Sequence, residues 1–247
     1  MKISDRIKGF TVKQMYAYLE KDPDANIPKL LDYLVKYDKD GTGLTEQAEG
    51  IRRAISDPDN NWYKLVKSLW TDIDAAQRKA LVESAVVNGS MIGTPMSEKM
   101  QEKYQCNVPW AILMDPTSAC NLHCTGCWAA EYGNKLNLSF DDLDSIICQG
   151  KDMGTYVYIY SGGEPLVRRD DLIRLCEKHD DCAFLAFTNG TLIDDHFADE
   201  MLRVHNFVPA ISIEGFEEAT DGRRGKGTYR KVIAAMERLK ARKLLFG

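Results

Sequence analysis

From Pro109 to the end of the sequence, short apolar segments alternate with longer amphipathic ones. The apolar segments are rich in β-branched and aromatic residues, which is typical of strands buried on both faces. They are WAILMD (110–115), TYVYIYS (155–161), AFLAF (183–187) and VPAISI (208–213). Apolar residues at three- and four-residue spacing predict helices between and after them, over about 138–153, 170–179, 191–204 and 227–242. Repeated strand, helix, strand units predict parallel strands with right-handed crossovers, so the fold class is α/β, a barrel or an open doubly wound sheet.

The part of the chain before these units has helical spacing and no strand pattern. Polar clusters rich in Asp, Asn and Gly divide it into short predicted helices. One helix, beginning at one of the asparagines 60 and 61, carries an apolar stripe from Trp62 to Trp70 that we expect to pack against the α/β part. The patterns predict a helical domain over residues 1–107 and an α/β domain over 108–247.

After the last predicted helix, the segment KLLFG (243–247) has the pattern of a fifth strand that has just begun. The α/β domain therefore contains about four βα units plus the start of strand 5, and resembles the front part of a longer protein. The fourth strand is expected to lie at or next to a sheet edge. We expect the isolated 247-residue chain to self-associate or to be poorly soluble, because an incomplete barrel exposes its apolar interior.

Composition and charge exclude several classes of protein. Hydrophobic residues at 44% and charged residues at 28% are close to the averages for soluble globular proteins. The net charge of -5 provides no basic field, so nucleic acid and anionic membranes are disfavoured as partners. No apolar run reaches the roughly 18 residues of a membrane span, and the N-terminus is too charged for a signal peptide. A cytoplasmic location is expected.

The chemistry of the chain centres on the segment SACNLHCTGCWA (118–129), directly after the first predicted strand. Cys120, Cys124 and Cys127 follow the pattern C-x3-C-x2-C, so three thiolates can converge from one loop. Three soft ligands leave one coordination position of a metal or cluster open, which is typical of a reactive site. A [4Fe-4S] cluster held in this way has one iron without a protein ligand.

Other cysteines leave an alternative open at this point. A structural zinc site would complete the three thiolates with a distant fourth ligand, for which Cys106, Cys148 or His123 is available. Otherwise the cysteines outside the loop are expected to be ordinary thiols. These are Cys106, Cys148, Cys176 and Cys182.

A second motif, Ser161-Gly162-Gly163-Glu164-Pro165, ends the second predicted strand. Paired glycines allow a small molecule to approach the backbone, and Glu164 offers an acceptor for an ammonium group. The two motifs, in this order and on successive strand ends, resemble the radical S-adenosylmethionine (radical SAM) superfamily over residues 108–247.

The resemblance implies a partial (β/α)6 TIM-like barrel, incomplete here and preceded by an α-helical domain. It implies that Cys120, Cys124 and Cys127 hold a [4Fe-4S] cluster whose fourth iron is chelated by the amino and carboxylate groups of SAM. Reduction of the cluster would cleave SAM to methionine and a 5'-deoxyadenosyl radical that abstracts hydrogen from a substrate.

The resemblance also implies a set of SAM-binding residues. Gly162, Gly163 and Glu164 match the motif that holds the methionine amino group. The remaining candidates lie on the next strand ends: Thr188 and Asn189 beside the SAM site, Ser212 and Glu214 in the ribose-contacting SIEG segment, and Arg224 in DGRRGKGTY. Arg224 is able to pair with a carboxylate through two hydrogen bonds.

These observations favour a radical SAM enzyme acting in the maturation of a peptide, a protein or a cofactor. Its partners would be SAM, a peptide, protein or small-molecule substrate, and an electron donor such as flavodoxin or ferredoxin. The alternatives are a non-catalytic cluster-binding or scaffold protein and, with less support, a structural zinc protein. The polar segment from Asp38 to Glu49 also matches most positions of a calcium-binding EF-hand loop, although a polar turn between helices explains the same residues.

Overall fold

Four parallel strands form one sheet in the order in which they occur along the chain. The computed structural model describes residues 14–37 and 44–247. The strands are β1 (Ala111–Met114), β2 (Val157–Tyr160), β3 (Ala183–Thr188) and β4 (Phe207–Ile211). Each strand pairs with the next in parallel, which confirms the α/β class and the predicted parallel strands of successive βα units.

Helices connect the strands and make up the first part of the chain. The described helices before the sheet are α1 (14–21), α2 (Pro23–Tyr37), α3 (Leu44–Ile55), α4 (Asn61–Thr71), α5 (Ala75–Leu81), a π-helix (Val82–Gly93) and α6 (Thr94–Tyr104). Those that follow β1 are α7 (Phe140–Met153), α8 (Arg169–Lys178), α9 (Asp195–Val204), α10 (Glu217–Arg224) and α11 (Thr228–Ala241). Two 3-10 helices, Trp128–Tyr132 and Pro165–Arg168, lie in the loops after β1 and β2.

The core lies between one face of the sheet and the helices that follow the strands. Tyr158, Tyr160 and Phe184 point to this face and are fully buried, with the Phe184 ring stacked 5.8 Å from each tyrosine ring. The opposite face is much more open, since Leu113 is 58% exposed and Phe187 50% exposed. The sheet therefore buries one face, as a barrel wall does, and leaves open the face that would line a barrel interior.

The segment after α11 lies beside β4. The N–H of Ile211 donates to the carbonyl of Gly247 at 2.7 Å, and the N–H of Gly247 donates to the carbonyl of Pro209 at 3.0 Å. Two bonds from one residue to residues two apart are the pattern of a parallel ladder. This confirms the expected start of a fifth strand next to the fourth.

The helices of the first part of the chain contact the N-terminal ends of the strands. The buried Gln77 of α5 donates to the carbonyl of Phe207 at 3.2 Å and accepts from the N–H of Leu245 at 2.6 Å. Asn88 of the π-helix donates to the carbonyl of Asp181 at 2.9 Å. The helices thus cover the N-terminal end of the sheet and leave its C-terminal end to the loops.

The expectation that the α4 stripe packs against the α/β part is wrong. Trp62 is 64% exposed and Leu65 55% exposed. The last member of the stripe is partly buried by the helical part itself: the Trp70 indole N–H donates to Glu20 at 2.9 Å, and its ring lies under the Arg78 guanidinium. The N-terminal end of the sheet is contacted instead by polar side chains of α5 and the π-helix.

Two further expectations concern calcium and membranes. Residues 38–43 of the candidate calcium loop lie outside the described residues, so calcium binding stays a prediction. Within the described part of the chain, no helix combines the length and the apolar character needed to cross a membrane.

Asn206, directly before β4, holds the turn between α8 and β3. Its buried amide nitrogen lies 3.0–3.1 Å from the carbonyl oxygens of Cys176, His179 and Cys182. We predict that Asn206→Ala destabilises the fold by about 2–3 kcal/mol, because buried carbonyls lose their donor. A thermal melt followed by circular dichroism should show a fall of about 5 °C or more. Gln149→Ala, which removes an exposed amide, is the control, and a variant at Asn206 that melts like the control would contradict the prediction.

Candidate functional site

The three cysteines of the loop after β1 line one cavity of about 340 Å³. Gly163, from the loop after β2, lines the same cavity. Cys120, Cys124 and Cys127 are all free thiols. Loss of hydration raises the pKa of Cys120, and the nearby Glu164 carboxylate and the other two thiols act in the same direction. A metal bound here would therefore have to displace the thiol proton.

The three thiols also bear on which metal group the loop could hold. Among the residues that the structure describes, these sulfurs do not form a group with all members within 4.8 Å of one another. Four sulfurs around one zinc ion, with Zn–S bonds of about 2.3 Å, lie roughly 3.8 Å apart. A donor set of three thiolates suits iron and sulfide, with one coordination position left open.

Backbone hydrogen bonds tie the cysteine loop to the loop after β2. The N–H of Gly163 donates to the carbonyl of Thr117 at 3.0 Å, and the N–H of Glu164 donates to that of Ala119 at 2.8 Å. A Cβ on Gly163 would strike the carbonyl of Ala119 and lie 2.5 Å from that of Ser118. Gly162 has a φ of +102°, in the region that favours glycine. Because the two glycines have no side chains, the backbone of the cysteine loop can pack directly against them. The sequence interpretation did not assign this role to them.

Glu164 is a buried carboxylate next to the cysteine loop, with 1% exposure. Its Oε1 accepts from the Thr188 hydroxyl at 2.6 Å and the Leu166 N–H at 3.0 Å, and its Oε2 accepts from the Asn189 N–H at 2.7 Å. Burial raises the pKa of Glu164, although these donors and the positive charge of Arg224 lower it. The structure therefore brings together three of the predicted site residues, from the ends of β2 and β3.

A chain of polar side chains extends this group to the cysteine loop. The Asn189 amide donates to the Asn121 side chain at 2.9 Å, and the Asn121 amide donates to the Thr191 hydroxyl at 2.8 Å. Asn121 and Thr191 were missed by the sequence interpretation. The signal available for Asn121 was its position between two candidate ligands, Cys120 and Cys124. Ser212 joins the site through its backbone, whose N–H donates to the Thr188 carbonyl at 2.8 Å.

Glu214 and Arg224 form a second predicted pair at the end of β4. Nε and Nη2 of Arg224 donate to Glu214 Oε1 at 3.0 and 2.6 Å, and Arg223 adds a third bond at 3.0 Å. The hydrogen bonds from Arg224 are the main reason that the pKa of Glu214 is lowered. The carbonyl of Arg223 also accepts from the N–H of Thr125 at 2.8 Å, which ties this pair to the cysteine loop.

The motif that contains Arg224 also has a structural role. The carboxylate of Asp221 accepts from the N–H groups of Gly227 and Tyr229 at 2.7 and 2.8 Å. These donors lie at the start of α11, where backbone N–H groups have no partner inside the helix. Asp221 therefore fixes the turn between α10 and α11, and with it the position of Arg224.

Comparison with known proteins identifies the family of the α/β part. The model of the radical SAM superfamily matches residues 114–245, just over half of the chain. An uncharacterised protein of Archaeoglobus fulgidus is 28% identical over 58% of this chain and 34% of its own length. Fe-coproporphyrin III synthase of Methanosarcina barkeri is 32% identical over 48% of this chain and 31% of its own length. The chain thus spans about a third of the length of these relatives.

A solved structure supports the fold. The crystal structure of Streptococcus suis SuiB aligns with 90% of this chain and 47% of its own, with a TM-score of 0.52 and 18% sequence identity. At this level of identity the likeness concerns the fold, which is that of a partial TIM barrel.

The backbone contact at Gly163 generates a test. Gly163→Ala should distort the cysteine loop, because the added carbon meets backbone carbonyls that cannot rotate away. We expect a lower melting temperature and a several-fold loss of the iron retained after anaerobic reconstitution. Gly222→Ala in α10 is the matched control, since its added carbon meets no atom within 4 Å. Equal iron content in the two variants would show that the contact does not shape the loop.

Proposed function

Because this chain belongs to the radical SAM superfamily, we propose that it binds a [4Fe-4S] cluster and SAM and cleaves SAM reductively. The observation that carries the proposal is the cavity lined by Cys120, Cys124 and Cys127 together with Gly163. Three thiols and the loop that follows the next strand meet there. This arrangement provides ligands for three irons and leaves the fourth to a small molecule bound beside the glycines.

Cys120, Cys124 and Cys127 would hold the cluster, which when bound and reduced would supply the electron for cleavage of the C5'–S bond of SAM, giving methionine and a 5'-deoxyadenosyl radical for hydrogen abstraction. The protein residues position the two partners. Asn121 and Thr125, both within the cysteine loop, hydrogen-bond to Thr191 in the loop after β3 and to Arg223 in α10. The ligands are thus held from several strand ends, which keeps their spacing fixed.

Under this proposal, SAM lies over the C-terminal ends of the strands. Gly162, Gly163 and Glu164 would hold its amino group. Glu164 supports this role because its carboxylate is held in one orientation by three donors, and Oε2 accepts only one of these bonds. The other predicted contacts with SAM are those of Thr188, Asn189, Ser212, Glu214 and Arg224.

We propose two classes of substrate, a cofactor precursor and a peptide or protein. The name of the Methanosarcina relative points to tetrapyrrole chemistry, which supports the maturation of a cofactor, and peptide or protein maturation stays a prediction from the motifs. The electron donor would be a flavodoxin or a ferredoxin. We further propose residues 1–107 as a helical domain and 108–247 as the radical SAM domain, the first covering the end of the sheet opposite the cysteines.

A non-catalytic protein that carries a cluster is the competing proposal. The two proposals differ in whether SAM is cleaved. Incubation of the reconstituted protein with SAM and dithionite should yield 5'-deoxyadenosine and methionine in the absence of air. A protein with a full cluster that produces neither would favour the non-catalytic alternative.

The ligand assignment leads to a prediction about iron. Reconstituted protein should contain about four irons and four sulfides per chain, and Cys124→Ala should lose most of both. Cys106→Ala removes an exposed cysteine outside the loop and is the control. Chemical iron and sulfide analysis with Mössbauer spectroscopy measures the outcome. Full iron content in the Cys124→Ala protein would refute the assignment.

The SAM site leads to a prediction about Glu164. Glu164→Gln should weaken SAM binding about ten- to a hundredfold, since a charge-assisted hydrogen bond contributes about 1.5–3 kcal/mol. The effect of SAM on the EPR spectrum of the reduced cluster measures the affinity. Glu237→Gln on the exposed side of α11 is the control, and iron content with a thermal melt verifies that each variant folds. Unchanged affinity in a folded Glu164→Gln protein would exclude this residue as the anchor.

A further inference from the structure

A group of three different potential metal ligands lies on the outer helical layer of the barrel. Asp144, Cys148 and His179 place one carboxylate oxygen, the sulfur and one ring nitrogen all within 4.8 Å of one another. Asp144 and Cys148 are four residues apart in α7, so they project from the same side of the helix. His179 directly follows α8.

The surrounding structure orients His179 and Asp144 before any ion binds. His179 is 3% exposed, and its carbonyl accepts from the Asn206 amide at 3.1 Å and from the Cys182 N–H at 3.0 Å. Its Nε2 lies 2.9 Å from Asp144 Oδ1. The other oxygen of Asp144 accepts from Lys178 at 2.8 Å. Lys178 therefore holds the carboxylate with Oδ1 turned toward the histidine.

We propose that Asp144, Cys148 and His179 form a second metal site, which binds Zn²⁺. Thiolate, imidazole and carboxylate together are ligands that zinc accepts in a tetrahedron, whereas magnesium and calcium select oxygen. Cys148 is exposed, so water has access to the fourth position. Binding releases the thiol proton to solvent, and the imidazole carries its proton on Nδ1 while Nε2 binds the ion.

This site is separate from the cysteine loop. His179 lies four residues before β3, at the end of the sheet where strands begin. The cysteine loop leaves β1 at the opposite end. The sequence interpretation took Cys148 as an ordinary thiol or as a distant fourth ligand for the loop cysteines. In the structure its neighbours are Asp144 and His179, so the zinc site does not depend on the proposed cluster chemistry.

The test uses the protein with its iron-sulfur cluster already reconstituted, so that the loop cysteines are occupied. Equimolar zinc chloride is added without air, and the protein is desalted. We expect about one zinc per chain, and X-ray absorption at the zinc edge should show one sulfur and otherwise nitrogen or oxygen ligands. Cys148→Ser and His179→Gln should each weaken zinc binding by more than about a hundredfold. Loss of a residue that only hydrogen-bonds to a ligand already lowers metal affinity by about ten- to a hundredfold, and loss of the ligand itself lowers it further.

Cys106→Ser is the matched control and should retain zinc, because Cys106 is exposed but lies outside this group. Iron content and circular dichroism confirm that the cluster and the fold are intact in each variant. The proposal is overturned if zinc is removed by desalting, if the bound zinc has three sulfur ligands, or if a folded Cys148→Ser protein binds zinc as tightly as the unaltered chain.

Discussion

The site depends on two backbone hydrogen bonds that join the loop after β1 to the loop after β2. They run from the N–H groups of Gly163 and Glu164 to the carbonyls of Thr117 and Ala119. Because Ala119 precedes the first cysteine, these bonds fix where the cysteine loop begins. They form only when residue 163 has no side chain, since a Cβ there would overlap the carbonyls it faces. The glycine pair is therefore needed by the cysteine loop even before any ligand approaches the backbone.

The same short loop also determines the electrostatics of the site. Directly after the glycines, Glu164 enters the interior, where an ionised carboxylate without donors would be strongly destabilised. Thr188, Asn189 and Leu166 supply the donors, two of them from the end of β3. The hydrogen bonds of the buried carboxyl group thus join the ends of β2 and β3, and Asn121 extends the connection from Asn189 to the cysteine loop. Stability and candidate chemistry rest on the same bonds, so substitutions here are expected to affect both.

Strands and caps could be predicted from the sequence because local chemistry determines them. The predicted strand at 183–187 is β3, and Asn60, one of the two residues predicted to begin a helix, is the N-cap of α4. The helix α10 was not predicted, as its segment EEATDGRR has almost no apolar side and only Thr220 is buried. The α4 stripe was misplaced, since periodicity shows that a face is apolar but not which partner covers it. The contacts of Glu164 and Asn121 join residues far apart in sequence, and no local pattern encodes them.

The Arg224–Glu214 pair shows what the proposed recognition of SAM would require. Both side chains are largely withdrawn from solvent, with 13% and 25% of their surface exposed, and the arginine directs two nitrogen atoms at one carboxylate oxygen. A ligand carboxylate that reaches Arg224 must therefore replace Glu214 or share the guanidinium with it. Replacement would leave Glu214 with Arg223, which already donates to the same oxygen and is more exposed. The second arginine therefore lowers the electrostatic cost of the exchange, because Glu214 keeps a cationic partner when Arg224 turns to the ligand.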